Sequence, residues 1–224
     1  MFDLDNTLHD ASYRVFPAIN ANMNAFIAGV LGAGGVPAAP EAVDAARIGY
    51  LRRYGATLLG MVHHHQVRPA EFLAAAHRFE DLVAMLRTEP GLSRQLARLP
   101  GQKILLTNAP QRYAGEVLRH FGLQRHFSHQ IAIEAMQVHG RLRPKPSKAL
   151  LRKLLARHGM PAYRCVLVED TLPNLRAAKA LGMRTVWITG YLPATDAAKT
   201  TKCPAYVDVK VQSIRQLLTA RIAS

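Results

Sequence analysis

Downstream of Lys103 the chain alternates short, wholly apolar runs with longer stretches whose apolar residues recur at helical spacing. The runs are Ile104-Leu105-Leu106, Ile131-Ala132-Ile133, Val166-Leu167-Val168 and Val186-Trp187-Ile188. Continuous apolar runs are the mark of strands buried on both faces, so the pattern predicts a parallel sheet with helices on either side. Helices are predicted over Ala114 to Phe121, Ala149 to His158 and Leu175 to Leu181, stopped by Gly122, Gly159 and Gly182. A last strand is predicted over Tyr206 to Val209, ahead of a helical tail through Arg215 and Leu218. The fold class is α/β, a doubly wound parallel sheet.

Residues 13–92 follow another pattern. Val43 to Tyr54 and Phe72 to Arg87 have helical spacing and almost no strand-like alternation, which predicts an all-helical domain inserted into the α/β core. Gly29 to Pro40, rich in Gly, Ala and Pro, is the expected loop between two of its helices. The core is then 1–12 with 93–224, and the insertion 13–92.

Composition narrows the function classes. With 224 residues, 49% hydrophobic and 20% charged, the chain has the make-up of a globular protein and not of a disordered or fibrous one. It has no apolar run of the ~20 residues that a membrane-spanning helix needs, and no basic-then-apolar leader, so a cytoplasmic protein is expected. Cys165 and Cys203 stand alone in their segments, without the spacing of a metal knuckle or the density of a disulfide framework. The 29 Lys and Arg against 15 Asp and Glu give a net charge of +14, which favours anionic partners. Because the basic residues are scattered in ones and twos with no nucleic-acid-binding motif, a nucleic-acid polymer is not the expected main partner, which leaves phosphate esters and acidic surfaces open.

Four short segments concentrate the chemistry. In Phe2-Asp3-Leu4-Asp5-Asn6-Thr7, residues two apart on an extended strand point the same way, so Asp3 and Asp5 can face one ligand; alone, such a pair is equally a solvated turn or a helix cap. Ile104-Leu105-Leu106-Thr107-Asn108 is an apolar strand ending in a hydroxyl and an amide at the edge where open α/β sheets bind ligands. Those groups suit phosphate oxygens, or cap the helix that starts near Pro110. Arg143-Pro144-Lys145-Pro146-Ser147 holds a lysine between two prolines, which restrict the backbone and fix a point charge. Val166-Leu167-Val168-Glu169-Asp170-Thr171 runs an apolar strand into two adjacent acids, with Asn174 on the next helical turn. Acids crowded near other carboxylates call for a cation, and a hard divalent ion, Mg²⁺, fits a phosphate site.

An early D-x-D-x-T, a strand ending in Thr, an isolated Lys and a strand ending in E-D, in that order and with a helical insertion after the first motif, resemble the haloacid dehalogenase superfamily. D-L-D-N-T-L, T-N-A-P and E-D-T-x-x-N-L-x-x-A-K-x-L-G-M resemble more closely its bacterial pyrimidine 5′-nucleotidases. The resemblance implies a Mg²⁺-dependent phosphomonoester hydrolase. Asp3 would be the nucleophile and form an aspartyl-phosphate, and Asp5 the general acid and then the general base. Thr107 and Asn108 would hold phosphoryl oxygens, and Lys145 would offset their charge. Mg²⁺ would be held by the Asp3 carboxylate, the Asp5 backbone carbonyl and Asp170, with Glu169 a direct or water-mediated fourth contributor and Asn174 orienting the loop. The helical insertion would be the cap that selects substrate, with Arg52, Arg53 and Tyr54 as candidates. His63-His64-His65 are expected to be solvated or to face phosphate, because adjacent helical residues point about 100° apart and do not readily chelate one ion.

Alternatives have their own marks. Members that act on sugar phosphates or other small esters, and phosphomutases, share both acids. A receiver domain combines similar residues but is about half this length, with its acceptor Asp on a later strand. A basic binding protein on an inactive core would lack a catalytic group, and none is missing. Relatives also carry apolar residues ahead of the first motif, so the first strand looks clipped here and the true start is expected upstream of Met1; with Met1 as the genuine start, the nucleophile would sit on a frayed end.

Overall fold

The computed structural model describes residues 1–192 and 203–220. The chain forms two compact units, Tyr13–Met85 and a second made of Met1–Ser12 with Leu86–Ser224. Residues 86–92 fall in the latter, so the chain returns to it earlier than the sequence pattern suggests. The reason is local pairing: Asp10 N donates to the Arg87 carbonyl at 2.9 Å, and Thr88 Oγ1 to the Leu8 carbonyl at 2.6 Å.

Tyr13–Met85 is helical, with α1 (Val15–Leu31), α2 (Pro40–Tyr54), α3 (Thr57–His65) and α4 (Pro69–Ala76). Gly29 lies inside α1, and the connecting loop begins only at Gly32. Proline in the first turn starts both α2 and α4, where its missing N–H is no loss. Gly60 lets α3 lie close on α2, since a Cβ there would sit 2.1 Å from the Tyr50 ring. The helix expected over Phe72 to Arg87 stops at Ala76. Both the N–H and the Nδ1 of His77 lie within hydrogen-bonding distance of the Leu73 carbonyl, 3.1 and 3.0 Å, and Asp81 Oδ1 caps a separate turn at Ala84 N. Side chains that bond the local backbone compete with helix continuation.

The other unit is a parallel sheet with helices, comprising α5 (Leu92–Arg98), α6 (Gln111–His120), α7 (Lys148–Arg157), α8 (Leu172–Lys179) and α9 (Ile214–Leu217). Its parallel strands are β1 (Ile104–Leu106), β2 (His129–Ile131), β5 (Val166–Glu169), β6 (Arg184–Ile188) and β7 (Val209–Val211), with β3 (Gln137–Val138) and β4 (Arg141–Leu142) forming a small hairpin. Residues 1–3 occupy the centre, where Phe2 bridges Leu105 on one side and Val168 on the other, both parallel. The spatial order is therefore β2, β1, residues 1–3, β5, β6, β7. The N-terminal segment is paired rather than frayed: Phe2 N donates to Ile104 O at 2.8 Å, Asp3 N to Val168 O at 3.0 Å and Val168 N to Met1 O at 2.9 Å.

Two strands depart from their apolar runs. β2 ends at Ile131 because Ile133 enters a 3₁₀ turn, its N–H bonded to Ala109 O at 3.2 Å, so its apolar character serves burial in that turn. β7 begins at Val209, not Tyr206, because Val207 N turns back to Pro204 O at 2.9 Å and the Asp208 carboxylate takes Thr185 N at 2.8 Å. Leu106, Leu151, Leu167, Leu175 and Trp187 are among the buried side chains that fill the space between sheet and helices.

Candidate active site

All the parallel strands point the same way, so the residues that end them gather at one edge. With Phe2 opposite both Leu105 and Val168, Asp3 falls level with Glu169 and one residue short of Thr107. Neighbouring strands lie about 4.8 Å apart, which places these side chains side by side. The carboxylates of Asp3, Glu169 and Asp170 accordingly offer oxygens that all lie within 4.8 Å of one another.

Lys145 enters from the loop before α7. Its Nζ donates to Asp3 Oδ1 at 2.6 Å and to Glu169 Oε2 at 2.7 Å, and the residue is 5% exposed. The loop is clamped by Asn108, whose Nδ2 donates to Lys145 O at 3.1 Å while Lys145 N donates to Asn108 Oδ1 at 2.9 Å. The side chain expected to bind phosphate oxygens is thus engaged at both ends with the Lys145 backbone and positions the lysine. Thr107 is buried, and its Oγ1 accepts from Ala109 N at 3.0 Å, which uses a lone pair and leaves the hydroxyl proton to donate.

On β5 and the turn after it, Glu169 Oε1 accepts from Thr171 N at 3.2 Å, and Asp170 Oδ1 accepts from Thr171 Oγ1 at 3.0 Å. Trp187 Nε1 donates to the Asp170 carbonyl at 2.9 Å. These bonds order the acidic turn. Asn174, expected to do so, is buried in the first turn of α8 and makes no side-chain hydrogen bond among the described residues.

Asp5 follows on the turn after the central segment. Asn6 takes a left-handed φ of 56°, which Asn tolerates better than most residues, and its side chain staples the turn through Ser12 N and Oγ at 3.0 and 2.8 Å. Asp5 Oδ1 accepts from Tyr113 Oη at 2.6 Å and lies 2.9 Å from His9 Nε2. Sequence reasoning singled out neither His9 nor Tyr113; the available signal was a histidine four residues beyond Asp5 and a tyrosine six beyond Thr107.

The electrostatics are those of an acidic cluster short of positive charge. Burial and the Glu169 carboxylate raise the Asp3 pKa well above the usual range, although Lys145 pulls the other way. Burial lifts Glu169 to about 7, and burial with the Asp3 charge lifts Asp170 to about 6. Burial acts to lower Lys145, but the attraction of Asp3 and Glu169 outweighs it and holds the ammonium above its ordinary value. One ammonium among three carboxylates explains why both sides rise: the lysine is over-neutralised and the acids are under-neutralised. A buried, all-oxygen donor set with an unmet need for positive charge fits a hard divalent cation.

The structure thus brings Asp3, Lys145, Glu169 and Asp170 together, with Thr107 on the adjoining strand and Asp5 close enough for its charge to bear on Asp3. Arg52, Arg53 and Tyr54 belong to the helical unit. Arg52 and Arg53 are exposed on the last turn of α2, and the Arg53 guanidinium lies 5.4 Å from the Tyr54 ring centroid. Of the three histidines in α3, two are taken by tyrosines, Tyr50 Oη with His65 Nε2 at 2.6 Å and Tyr54 Oη with His64 Nε2 at 2.7 Å.

Known proteins share this framework. Over 204 residues the chain is 29% identical to phosphoglycolate phosphatase 1 of Pseudomonas aeruginosa, spanning 85% of this chain and 69% of that one. It is 27% identical to a 5′-nucleotidase of the same organism over 135 residues, 59% and 58% of the two chains. Among solved structures it superposes on CbbY from Rhodobacter sphaeroides in complex with phosphate with a TM-score of 0.64 at 23% identity, covering 96% and 94%. A HAD phosphatase from Thermococcus onnurineus gives a TM-score of 0.63 at 18% identity, covering 97% and 94%. At these identities the superpositions speak for the fold. The family model for haloacid dehalogenase-like hydrolases matches residues 1–182, and on that match the chain belongs to this family.

Proposed function

We propose that the protein is a Mg²⁺-dependent phosphomonoesterase that works through an aspartyl-phosphate on Asp3. The observation that carries this reading is the buried Asp3 carboxylate at the end of the central parallel segment, bonded to Lys145 and clustered with Glu169 and Asp170. Asp3, Asp170 and Glu169, with the Asp5 backbone carbonyl, would hold the metal. When bound, Mg²⁺ supplies the positive charge that keeps these carboxylates ionised and screens the phosphate from them.

The chain's own residues account for the remaining chemistry. A carboxylate oxygen of Asp3 attacks phosphorus as the bond to the ester oxygen breaks, and Asp5 gives its proton to that leaving oxygen. Asp5, now a carboxylate, takes a proton from water as the water oxygen attacks phosphorus. The bond to Asp3 breaks and inorganic phosphate leaves. The Thr107 hydroxyl donates to a phosphoryl oxygen, and Lys145, fixed by Asn108, offsets the charge that collects on the transferring group.

For the substrate class we favour pyrimidine nucleoside 5′-monophosphates. The D-L-D-N-T-L, T-N-A-P and E-D-T motifs and the relationship to a 5′-nucleotidase support it. A second reading, 2-phosphoglycolate or another small ester, is favoured by the phosphoglycolate phosphatases, which match a larger share of the chain. The helical unit would select between them, with Arg52 and Arg53 as the exposed cationic candidates. Turnover of p-nitrophenyl phosphate with and without EDTA tests the class: activity that requires Mg²⁺ supports it, and metal-independent or absent activity overturns it. A comparison of kcat/KM over UMP, CMP, 2-phosphoglycolate and sugar phosphates then tests the substrate. If UMP and CMP do not stand out, the nucleotidase assignment falls.

A further inference from the structure

His9 is completely buried, with 0% exposure, yet it is not packed as a neutral filler. Its Nε2 lies 2.9 Å from Asp5 Oδ1 and 3.1 Å from Tyr113 Oη, while Tyr113 Oη lies 2.6 Å from the same Asp5 oxygen. Three polar atoms therefore close a triangle, with His9 Nε2 and Tyr113 Oη meeting at one carboxylate oxygen. Tyr113 reaches it from the first turn of α6 and is 2% exposed.

The hydrogen inventory of this triangle balances in one way for an ionised Asp5 and a neutral His9. Tyr113 has a single O–H, and it goes to Asp5 Oδ1. His9 Nε2 then faces two acceptors, the carboxylate oxygen and the phenol oxygen, so Nε2 carries the hydrogen. Nδ1 is left as a bare acceptor, buried and without a partner among the described residues. A leucine would fill the space beside the Tyr113 and Phe121 rings, whose centroids are 6.3 and 6.2 Å away, without that unpaired nitrogen. What the histidine provides that a leucine does not is the Nε2 donor at Asp5.

The geometry points to His9 and Tyr113 as positioning residues for Asp5, which hold its carboxylate through Oδ1 in the rotation that presents the proton to the leaving oxygen. The inference rests on the proposed acid and base role of Asp5. Neither residue need touch substrate. A carboxylate on a surface turn rotates about its χ angles, and two donors fixed by a buried ring and a helix remove that freedom. The same donors stabilise the anion left when Asp5 gives up its proton, ready for the water step.

Leaving-group dependence separates positioning from simple packing. Departure of p-nitrophenolate needs little protonation, whereas an alkoxide such as the ribose 5′ oxygen of UMP needs a proton delivered in step. Because kcat/KM covers the steps through departure, it reads the acid alone. For Tyr113→Phe, which deletes one oxygen, and His9→Leu, kcat/KM on UMP is expected to fall about tenfold or more beyond any fall on p-nitrophenyl phosphate. His9→Gln, whose amide nitrogen reaches a similar place, is expected to recover part of that selective loss. Melting curves identify any variant that has lost its fold, and Tyr113→Phe stands as the mildest change. Equal losses on the two substrates, or none, overturn the positioning role. Asp5→Asn distinguishes the two levels of failure. If it too spares UMP turnover, the assignment of Asp5 itself is wrong; if it selectively abolishes UMP turnover while the His9 and Tyr113 variants do not, only the present inference falls.

Discussion

Removing the divalent cation at different pH values perturbs the acidic cluster without a mutation. In the metal-free protein Glu169 titrates at about 7 against 4.5 for the ordinary side chain, and Asp170 at about 6 against 3.8. Both are raised in the fold, so the folded state binds these protons more tightly than the unfolded chain. Their contribution to stability is thus full below about pH 4 and is lost as pH rises towards 7. For Glu169 alone the loss is about 3 kcal/mol, which in a protein of this size corresponds to about 6–12 °C in melting temperature. Measuring the difference between melting temperatures in millimolar Mg²⁺ and in EDTA isolates the cluster from groups that titrate elsewhere in the fold. The Mg²⁺ increment is expected to be a degree or two near pH 5, where protons occupy the cluster, and to reach about 6–12 °C by pH 8. An increment of the same size at both pH values, or none at either, would refute the claim that these carboxylates await a cation.

Other substitutions test the site part by part. Lys145→Met removes the only ammonium bonded to Asp3 and Glu169 among the described residues, and kcat/KM is expected to fall about 10²–10³-fold, with a steeper decline in metal-free melting temperature as pH rises. Asn108→Ala deletes both hydrogen bonds to the Lys145 backbone; melting is expected to show a loss of about 1–3 kcal/mol, and steady-state assays a lower kcat at little-changed KM. A changed KM with unaltered kcat would instead make Asn108 a phosphate ligand.

What was legible in the sequence follows from how locally each feature is encoded. β1, β5 and β6 announce themselves because strands buried on both faces carry at least three consecutive apolar residues, even where Arg184 and Thr185 open β6 and Glu169 ends β5. The site acids were readable for the same reason: polar residues directly after such runs mark the sheet edge where ligands bind. Features decided by distant partners were not readable. Nothing near Asn108 in sequence shows that its amide spans a peptide 37 residues away. His9 and Tyr113 are 104 residues apart and meet only in the fold. The stop of α4 at Ala76 depends on His77 and Asp81 turning to the local backbone, which helical periodicity does not register.

The central claim is that Asp3 becomes covalently phosphorylated. Quenching turnover of p-nitrophenyl phosphate with borohydride reduces an acyl phosphate to the alcohol, so the peptide carrying residue 3 would contain homoserine in place of aspartate. The expected result is homoserine at position 3 when substrate and Mg²⁺ are both present, none when either is omitted, and neither homoserine nor turnover in Asp3→Asn with its melting curve preserved. Reduction at another carboxylate, or substantial turnover by Asp3→Asn, would contradict it.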